Sequence, residues 1–558
     1  MASTREQVSH PLSFTKDLPM RIAEFVETQF RAIFVWGVAA LLVLTLIALS
    51  LFGPHALWPW VVLGPMILLG VNDMTQKRQA IRRNYPVLGH MRYFLELIRP
   101  EIYQYFIESD KEGVPFDRED RSLVYQRAKK ARDTTPFGTK LNVYEPGYEW
   151  VNHSLMAHHI DAGDLRVMIG GPDCKQPYSC SLMNISAMSF GSLSKNAILA
   201  LSRGAKLDNF AHNTGEGGLS PYHIEGGGDL IWQVGTGYFS CRDEAGKFSP
   251  SIFAEKAAIP NVKMIEIKLS QGAKPGHGGI LPAAKVTPEI AAIRGVPLGQ
   301  DVLSPPTHTE FSTPIGLLEF VKKLRDLSGG KPVGFKLCVG KRREFLAICK
   351  AMVQTGITPD FITVDGGEGG TGAAPLEFSN HMGAPLVEGL IFVHNALTGY
   401  SLRSKIRILA SGKATSGFGL LKRLAIGADA IMSARAMMMA IGCIQALKCN
   451  SNHCPVGVAT QEKHLMAGLD PADKATRVAN YHRGTINSLA EMIGALGLNS
   501  ADELRPWHLM HRVSQNETRH YGELYKFLRG GELLADELPP DYARACSSAS
   551  AETFGHAD

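Results

Sequence analysis

The sequence has few of the features that mark several common classes of protein. It has nine cysteines in 558 residues, too few and too scattered for a disulfide framework. Its formal net charge is only +5, which gives no reason to expect a nucleic-acid partner. No internal repeat of fixed period is visible. No Gly-x-Gly-x-x-Gly motif opens an early helix, and this argues against a dinucleotide-binding fold.

Two apolar runs lie near the N-terminus. Residues 32–53 contain no charged side chain, and as a helix they are long enough to cross a hydrocarbon core of about 30 Å. Residues 56–71 form a shorter run that contains two prolines, so this run predicts a kinked span or a re-entrant segment. A buried hairpin in a soluble protein is the alternative. Basic residues flank the pair on both sides and predict that both flanks are cytoplasmic. These are Lys16, Arg21, Arg31, Lys77, Arg78, Arg82 and Arg83.

The chain therefore divides into five predicted segments. Residues 1–30 form a cytoplasmic N-terminal segment, 31–75 a transmembrane hairpin, and 76–137 a helical connection. Residues 138–500 form the catalytic domain, and 501–558 a C-terminal segment. From about Pro539 the composition turns to small and polar residues, which predicts disorder there. Six cysteines are expected to be free thiols in a reducing compartment: Cys174, Cys180, Cys241, Cys338, Cys349 and Cys546.

The catalytic segment alternates predicted strands and helices. Strands are predicted at residues 264–268, 333–337, 361–365, 406–410 and 428–432, and helices at 314–327 and 342–354. Such alternation indicates a parallel sheet. Several of the strands end in Gly, Ser or a charged residue, as they do at the active-site face of a (β/α)₈ TIM barrel. We therefore predict a TIM barrel, with a doubly wound sheet as the alternative.

Two late strand–helix turns are suited to a phosphate group. One contains Ser411 and Gly412, and the next contains Ala434 and Arg435. Small residues let backbone N–H groups face an anion, and barrels often bind phosphate after their last two strands. Ordinary barrel turns are the alternative. The glycine-rich run at residues 365–372 would let the backbone approach a flat ligand closely.

Three cysteines are closely spaced in a separate run. Cys443, Cys449 and Cys454 are followed by Pro455, a pattern that suits an iron–sulfur cluster. Three ligands rather than four favour a 3Fe–4S cluster. Zinc, for which His453 would have to supply a strained fourth ligand, and plain thiols are the alternatives.

Five motifs occur in order along the catalytic segment. They span residues 186–192, 213–218, 271–276, 369–373 and 454–461. Together they resemble the FMN-binding synthase domain of glutamate synthases, over roughly residues 150–480. The likeness is strongest to the short, membrane-tethered proteins of that family, and the spacing of the three cysteines resembles the family's 3Fe–4S site.

The resemblance implies roles for particular residues. FMN would be bound by Ala187, Met188, Ser189, Gln271, Lys336, Gly370, Ser411, Gly412, Ala434 and Arg435. A cation at Lys336 would stabilise the anionic reduced flavin near N1. Glu216, Lys274 and Arg294 would bind 2-oxoglutarate, with Glu216 and Lys274 as the catalytic pair. Two cations suit a dicarboxylate, and Glu216 can handle ammonia or a proton.

The chain also departs from the family pattern. It begins with Met1 rather than the nucleophilic cysteine that hydrolyses glutamine, so we expect no glutaminase domain. Ile280 replaces a substrate-binding Gln, His277 an acidic residue, and Lys413 a Gly. Two functions follow. One is an oxidoreductase that reductively aminates 2-oxoglutarate or a related 2-oxo acid. It would use ammonia and an electron donor such as ferredoxin or a reductase subunit. The other is a membrane electron-transfer or sensor protein that makes no glutamate.

Overall fold

The chain forms two units in a computed structural model. The first is Met1–Ser109 and the second is Asp110–Asp558. The structure describes residues 17–131 and 133–555, and for residues 17–24, 27 and 28 it describes only the backbone. Residues 1–16, which include most of the expected N-terminal segment and Lys16, lie outside the described residues.

The first unit is helical. Its helices are Asp17–Phe52, the 3₁₀ turn Gly53–Leu57, Trp60–Thr75, Ala80–Asn84, Gly89–Ile102 and the π-helical turn Tyr103–Ile107.

The two longest helices of this unit form a hairpin. Trp60 on the second donates its indole N–H to Thr45 Oγ1 on the first, at 3.0 Å. Gly70 lies so close to the ring of Phe34 that a Cβ there would overlap the ring, so glycine is required by the close approach.

Only one stretch in the described part of the chain is long and apolar enough to cross a membrane. It is Gln29–Leu57, which has a mean hydropathy of 2.7, and none of its most apolar residues is buried. The second helix of the hairpin has 16 residues and is too short to pass the same test. The predicted helical hairpin is therefore present, with one helix of spanning length rather than two.

A closed parallel barrel forms the centre of the second unit, as predicted. Its strands are β1 (Met183–Ile185), β2 (Ala211–Asn213), β3 (Asp229–Val234), β4 (Val262–Lys268), β5 (Val333–Leu337), β6 (Phe361–Asp365), β7 (Arg407–Ser411) and β8 (Ala430–Ser433). They pair in chain order, and β8 closes the barrel onto β1 through Ile431 opposite Met183 and Met432 opposite Asn184. Nearly every strand residue is buried, because helices cover the outside and side chains fill the inside.

Helices follow the barrel strands in the usual βα order. They are Lys195–Leu207, Pro221–Glu225, Pro250–Ala257, Pro288–Arg294, Pro314–Leu327, Arg342–Thr355, Leu376–His381, Leu386–Gly399, Gly417–Ala425 and Arg435–Ala440. Outside this set lie Arg118–Ala128, Lys463–Met466, Pro471–Ala495, Tyr521–Leu524 and Pro540–Ser547, and the 3₁₀ turns Ala162–Asp164, Ala283–Lys285, Ala501–Glu503 and Pro506–His508.

Three small antiparallel sheets lie outside the barrel in the described part of the chain. Glu149–Val151 pairs with Leu509–Ser514, which pairs with Glu517–His520. Arg166–Ile169 pairs with Tyr178–Ser181, and Ile280–Leu281 pairs with Val302–Leu303.

The end of the chain differs from the expectation of disorder from about Pro539. Residues Pro540–Ser547 form a helix with Tyr542 and Cys546 buried. The Lys350 ammonium donates to the carbonyl oxygens of Cys546 and Ala549, at 2.7 and 2.9 Å. The disorder prediction was wrong here because contacts with the barrel order a segment whose own composition is weakly structured. All nine cysteines are free, as expected for the six named above.

A buried ion pair ties the β6 end of the barrel to the helix Pro314–Leu327. Arg325 donates to Asp360 Oδ2 at 3.0 Å, and Asp360 also accepts the backbone N–H groups of Val333 and Gly171. Asp173, which is 61% exposed, lies 3.7 Å from the same guanidinium.

We expect Asp360→Ala to destabilise the chain by about 3–5 kcal/mol, because it leaves a buried arginine and two N–H groups without their acceptor. The thermal midpoint of the detergent-solubilised chain, followed by circular dichroism, should fall by about 3–5 °C. Asp173→Ala removes an exposed partner of the same arginine and should change stability by less than about 0.5 kcal/mol. Equal midpoints for the two variants would contradict this account.

Candidate active site

The predicted site residues come together at the carboxyl ends of the barrel strands. Ala187, Met188 and Ser189 follow β1, Glu216 follows β2, Gln271 and Lys274 follow β4, Lys336 lies on β5, Gly370 follows β6, Ser411 and Gly412 end and follow β7, and Ala434 and Arg435 follow β8. Arg294 ends the helix Pro288–Arg294 in the connection from β4 to β5. One mouth of the barrel therefore carries them all.

Glu216 is the acidic group of this mouth and is surrounded by cations. Its Oε1 lies 2.8 Å from the ammonium of Lys268, the last residue of β4. Burial alone would raise the pKa of Glu216. The positive charges of Lys268, Lys274 and Arg294 outweigh burial and hold that pKa below its usual value. Gly279 leaves room for the carboxylate, since a Cβ there would lie 2.5 Å from Oε1.

Lys274 is buried on the loop after β4. Its ammonium donates to the carbonyl oxygen of Ala373 at 3.0 Å, which brings this loop to the glycine-rich loop after β6. Burial lowers the pKa of Lys274 to about 8, against the attraction of Glu216. Lys274 is therefore a cation near neutral pH and loses its charge at mildly alkaline pH.

Arg294 is a buried cation, and one of its N–H donors has no partner among the described residues. Its Nη2 donates to the carbonyl oxygen of Phe190 at 3.1 Å, and its guanidinium lies 5.2 Å from the ring centroid of Phe239. Burial lowers the pKa of Arg294 to about 10. Its buried Nε has no hydrogen-bond partner among the residues that the structure describes. An unpaired buried N–H is costly, so this side chain is suited to an anionic ligand.

The loops after β1 and β2 meet at Arg294. A Cβ on Gly217 would lie 2.6 Å from Arg294 Nη2 and 2.7 Å from Ser189 Cβ. The backbone of the Ser189 motif and the cationic pocket are therefore in contact.

Lys336 points into the barrel from β5. Its ammonium lies 3.3 Å from Asp365 Oδ2, and the same oxygen accepts the backbone N–H of Gly272 at 2.8 Å. A Cβ on Gly272 would overlap the carbonyl oxygen of Gly366, so the loops after β4 and β6 approach each other backbone to backbone.

The two predicted phosphate turns lie side by side. Ser411 Oγ is 3.3 Å from Ser186 Oγ, and Arg435 donates to the carbonyl oxygen of Glu368 at 2.8 Å. A Cβ on Gly370 would lie 2.7 Å from Arg435 Nε, so the glycine-rich loop packs directly on this arginine. Lys413 has φ +34°, and burial, with a smaller contribution from Arg435, lowers its pKa.

The three clustered cysteines lie near one another in the loop after the helix Arg435–Ala440. Burial, with smaller contributions from Cys449 and Cys454, raises the pKa of Cys443 to about 12. Cys449 and Cys454 in turn interact electrostatically with the ammonium of Lys285. No group of three or more His, Cys, Asp or Glu side chains is gathered tightly enough to hold a single metal ion in the described parts of the chain.

The cysteine loop leads directly back to the cationic pocket. Gln461 donates to the carbonyl oxygens of Gly191 and Leu193, at 3.0 and 2.9 Å. Lys285 donates to the carbonyl oxygens of Ser192 and Ala459, both at 2.9 Å. The loop that holds Arg294 through Phe190 is thus fixed by the residues that follow Cys454.

Three residues of the mouth were not predicted. Lys268 pairs with Glu216, Asp365 pairs with Lys336, and His308 donates from Nε2 to the carbonyl oxygen of Lys268 at 2.9 Å. Lys268 and Asp365 are the last residues of two predicted strands. A charged residue at the carboxyl end of a barrel strand is a sign of a site residue, so the sequence did contain a signal for both. His308 lies in a loop, and nothing in its sequence context pointed to the site.

Comparison with known proteins agrees with this geometry. Residues 167–499 match the model of the conserved region in glutamate synthase. A glutamate synthase large subunit-like protein of Bacillus subtilis is 38% identical over 501 residues, covering 82% of this chain and 93% of the relative. The chain belongs to the glutamate synthase family. The resemblance expected from the five motifs is therefore confirmed.

Other relatives in the glutamate synthase family match a smaller part of this chain. An archaeal glutamate synthase [NADPH] of Methanocaldococcus jannaschii is 36% identical over 359 residues, which cover 64% of this chain and 66% of the relative. The glutamate synthase [NADPH] large chain of Bacillus subtilis is 32% identical over 328 residues, which cover 57% of this chain and only 20% of the relative.

We expect the Glu216–Lys268 pair to couple energetically in a double-mutant cycle. Lys268→Met and Glu216→Gln should each lower the thermal midpoint at neutral pH, and the double variant should lose less than the sum. The coupling should be about 1–3 kcal/mol. Since the pKa of folded Glu216 lies below its usual value of 4.5, this coupling is present above pH 4.5 and is lost as pH falls through the lowered pKa.

The exposed pair Arg203–Glu225, at 2.9 Å, is the matched control. An Arg203→Met, Glu225→Gln cycle should give about 0–1 kcal/mol. A Glu216–Lys268 coupling no larger than this control would count against a functional charge cluster.

Proposed function

We propose that this chain is an FMN-dependent oxidoreductase that makes L-glutamate, or a related amino acid, from a 2-oxo acid and ammonia. The observation that carries the proposal is the arrangement of Glu216 with Lys268, Lys274 and Arg294 at the mouth of the barrel. Three cations around one acid leave an excess of positive charge, which an anionic substrate would balance.

The mouth fits FMN. The residues that would face the ring are Ala187, Met188, Ser189, Gln271 and Lys336, and those that would face the phosphate are Gly370, Ser411, Gly412, Ala434 and Arg435. Close contacts of Gly272 with Gly366 and of Gly370 with Arg435 bring the loops after β4, β6 and β8 together around this mouth. When bound, FMN supplies the hydride that reduces the carbon–nitrogen double bond. Lys336, buried beside Asp365, would place a positive charge next to the ring.

A dicarboxylate 2-oxo acid fits the cations of the pocket. Lys274 and Arg294 would each pair with one carboxylate, and the free Nε of Arg294 offers an extra donor. This pairing fixes the carbonyl carbon in one place, which is the main task of the site once a hydride donor is present.

Glu216 is suited to proton transfer. The lowered pKa keeps it ionised at neutral pH, so it would hold ammonium by charge and take a proton from the nitrogen as the carbon–nitrogen bond forms. Lys274, with a pKa of about 8, would give its own proton to the departing oxygen, which leaves as water. These are the two catalytic roles that we assign.

Ile280 bears on the choice of substrate. It lies on the short strand Ile280–Leu281, next to Gly279 against the Glu216 carboxylate. An aliphatic side chain offers no hydrogen bond where the family has an amide, so we expect substrate selection to differ from that of other family members. The related 2-oxo acids oxaloacetate and pyruvate therefore belong in the test.

We further propose that Cys443, Cys449 and Cys454 bind a 3Fe–4S cluster. The three thiols lie within electrostatic range of one another, and the Lys285 cation would offset the charge of their thiolate forms. A single zinc ion would need a tighter set of ligands, with bonds of about 2.3 Å. When bound, the cluster supplies one-electron chemistry beside the substrate pocket. A ferredoxin or a reductase subunit would be the electron donor.

We propose that the N-terminal helices attach the enzyme to a membrane, with the barrel in the cytoplasm. The support is the exposed apolar helix Gln29–Leu57, the second helix packed against it, and basic residues on both flanks. This placement requires the chain to return across the bilayer after Gln29–Leu57, through the segment that contains Trp60–Thr75.

The decisive experiment is anaerobic reoxidation of the reduced flavin by 2-oxoglutarate with ammonium. Reoxidation should require both, and glutamate should form in equal amount. Titration of the oxidised flavin spectrum with 2-oxoglutarate, oxaloacetate and pyruvate should identify the preferred acid. Arg294→Ala should weaken its binding at least tenfold, because an unpaired buried carboxylate costs about 2–5 kcal/mol.

The same titration, repeated at several pH values, tests the role of Lys274, and it can also contradict the proposal. Since Lys274 loses its proton near pH 8, binding should weaken as pH rises through this value. If no acid perturbs the spectrum, and Arg294→Ala changes nothing, the dicarboxylate site is wrong. The chain would then be a membrane electron-transfer or sensor protein.

Each of Cys443→Ser, Cys449→Ser and Cys454→Ser should lose iron and the low-temperature paramagnetic signal of the oxidised cluster. Cys174→Ser changes a free, partly buried thiol elsewhere and should retain both. Stoichiometric zinc in protein prepared without oxygen would overturn the cluster.

A further inference from the structure

The helix Gly89–Ile102 has an apolar face that no part of the proposed catalysis uses. Helical spacing places Met91, Leu95, Ile98 and Ile102 on one side, with Phe94 beside them. Met91, Phe94 and Leu95 are 57%, 55% and 50% exposed. Side chains of this size are seldom grouped in the open on a soluble surface.

The apolar surface continues beyond the helix. In the π-helical turn Tyr103–Ile107, Tyr105, Phe106 and Ile107 are all exposed. Tyrosine and phenylalanine are common where a protein meets the headgroup layer of a membrane.

The helix Gly89–Ile102 itself carries two Arg and two Glu, a net charge of zero without His90. Arg92 and Arg99 lie on the side away from Ile98, and Arg92 pairs weakly with Glu96 at 3.8 Å. Residues 76–107 contain six Lys or Arg and two Glu, a net charge of +4 without His90. The excess positive charge therefore comes from Lys77, Arg78, Arg82 and Arg83, just before the helix. An apolar-striped helix that follows a basic segment is suited to an anionic lipid surface.

A buried carboxylate fixes where this helix begins. Asp73, near the end of the apolar helix Trp60–Thr75, accepts the backbone N–H of Val87 at 3.0 Å and binds His90 Nε2 at 2.9 Å. The start of Gly89–Ile102 is therefore held at the end of the apolar hairpin. For a hairpin embedded in a bilayer, that is the depth of the headgroups.

We propose that Gly89–Ile102 and the following turn lie on the membrane surface as an amphipathic anchor, with the Met91–Leu95 face among the lipid tails and the arginines at anionic phosphates. This rests on the membrane attachment proposed above. The anchor would hold the polypeptide that leads to the catalytic unit against the bilayer.

The test uses the full chain in nanodiscs. A benzophenone amino acid is placed at Leu95, or as the matched control at Leu97, which is 67% exposed and about 200° further around the helix. After illumination, lipid adducts at position 95 should exceed those at position 97 severalfold. Phosphatidylcholine discs that also contain phosphatidylglycerol should give at least about fivefold more adduct at position 95 than phosphatidylcholine alone.

A second measurement guards against effects of the photoprobe. Hydrogen exchange of the Gly89–Ile102 amides should be slower in the anionic discs, and Leu95→Glu should abolish this protection while Leu97→Glu retains it. Adducts to the barrel, to a second copy or to another protein would overturn the proposal, as would equal lipid labelling at the two positions. Failure of the full chain to fractionate with membranes would instead overturn the attachment itself. Neither result depends on the flavin reaction.

Discussion

A buried carboxylate inside the barrel is the contact on which the site depends. Glu266 on β4 accepts hydrogen bonds from Asn213 on β2 at 2.7 Å, from Gln233 on β3 at 2.6 Å and from Thr363 on β6 at 2.6 Å. A carboxylate in an apolar interior is tolerated only where such donors satisfy it. One side chain therefore connects four strands of the barrel.

The hydrogen bonds of Glu266 also help to position the residues of the mouth. Lys268 comes two residues after Glu266 and points to the same side of β4, since side chains alternate along a strand. Asp365 has the same relation to Thr363 on β6, and Glu216 follows Asn213 by three residues. The ion pairs of the site are thus continuations of a polar network that begins deeper in the barrel, which gives them fixed positions before any ligand binds.

The sequence was most informative where local pattern and tertiary environment agree. The strand Phe361–Asp365 was predicted at its observed bounds, because a short apolar, β-branched run between turns is typical of a buried strand. Lys268 was missed as a site residue, since its pairing with Glu216 joins the end of β4 to the loop after β2, which is distant in the sequence. Packing likewise decides the helix Pro540–Ser547. Tyr542 stacks against Phe392, at 6.0 Å between ring centroids, and small residues that would be unstructured alone become ordered.

The short strand Ile280–Leu281 belongs to a two-stranded excursion with Val302–Leu303 that lies outside the barrel register. The residue before it, Gly279, lies against the Glu216 carboxylate, yet none of the eight barrel strands pairs with this strand. Substitutions on these two strands therefore alter no pairing of a barrel strand and no hydrogen bond of Glu266. For the proposed function, this means that residues next to Glu216 can change while the barrel strands that carry the charged side chains keep their pairing.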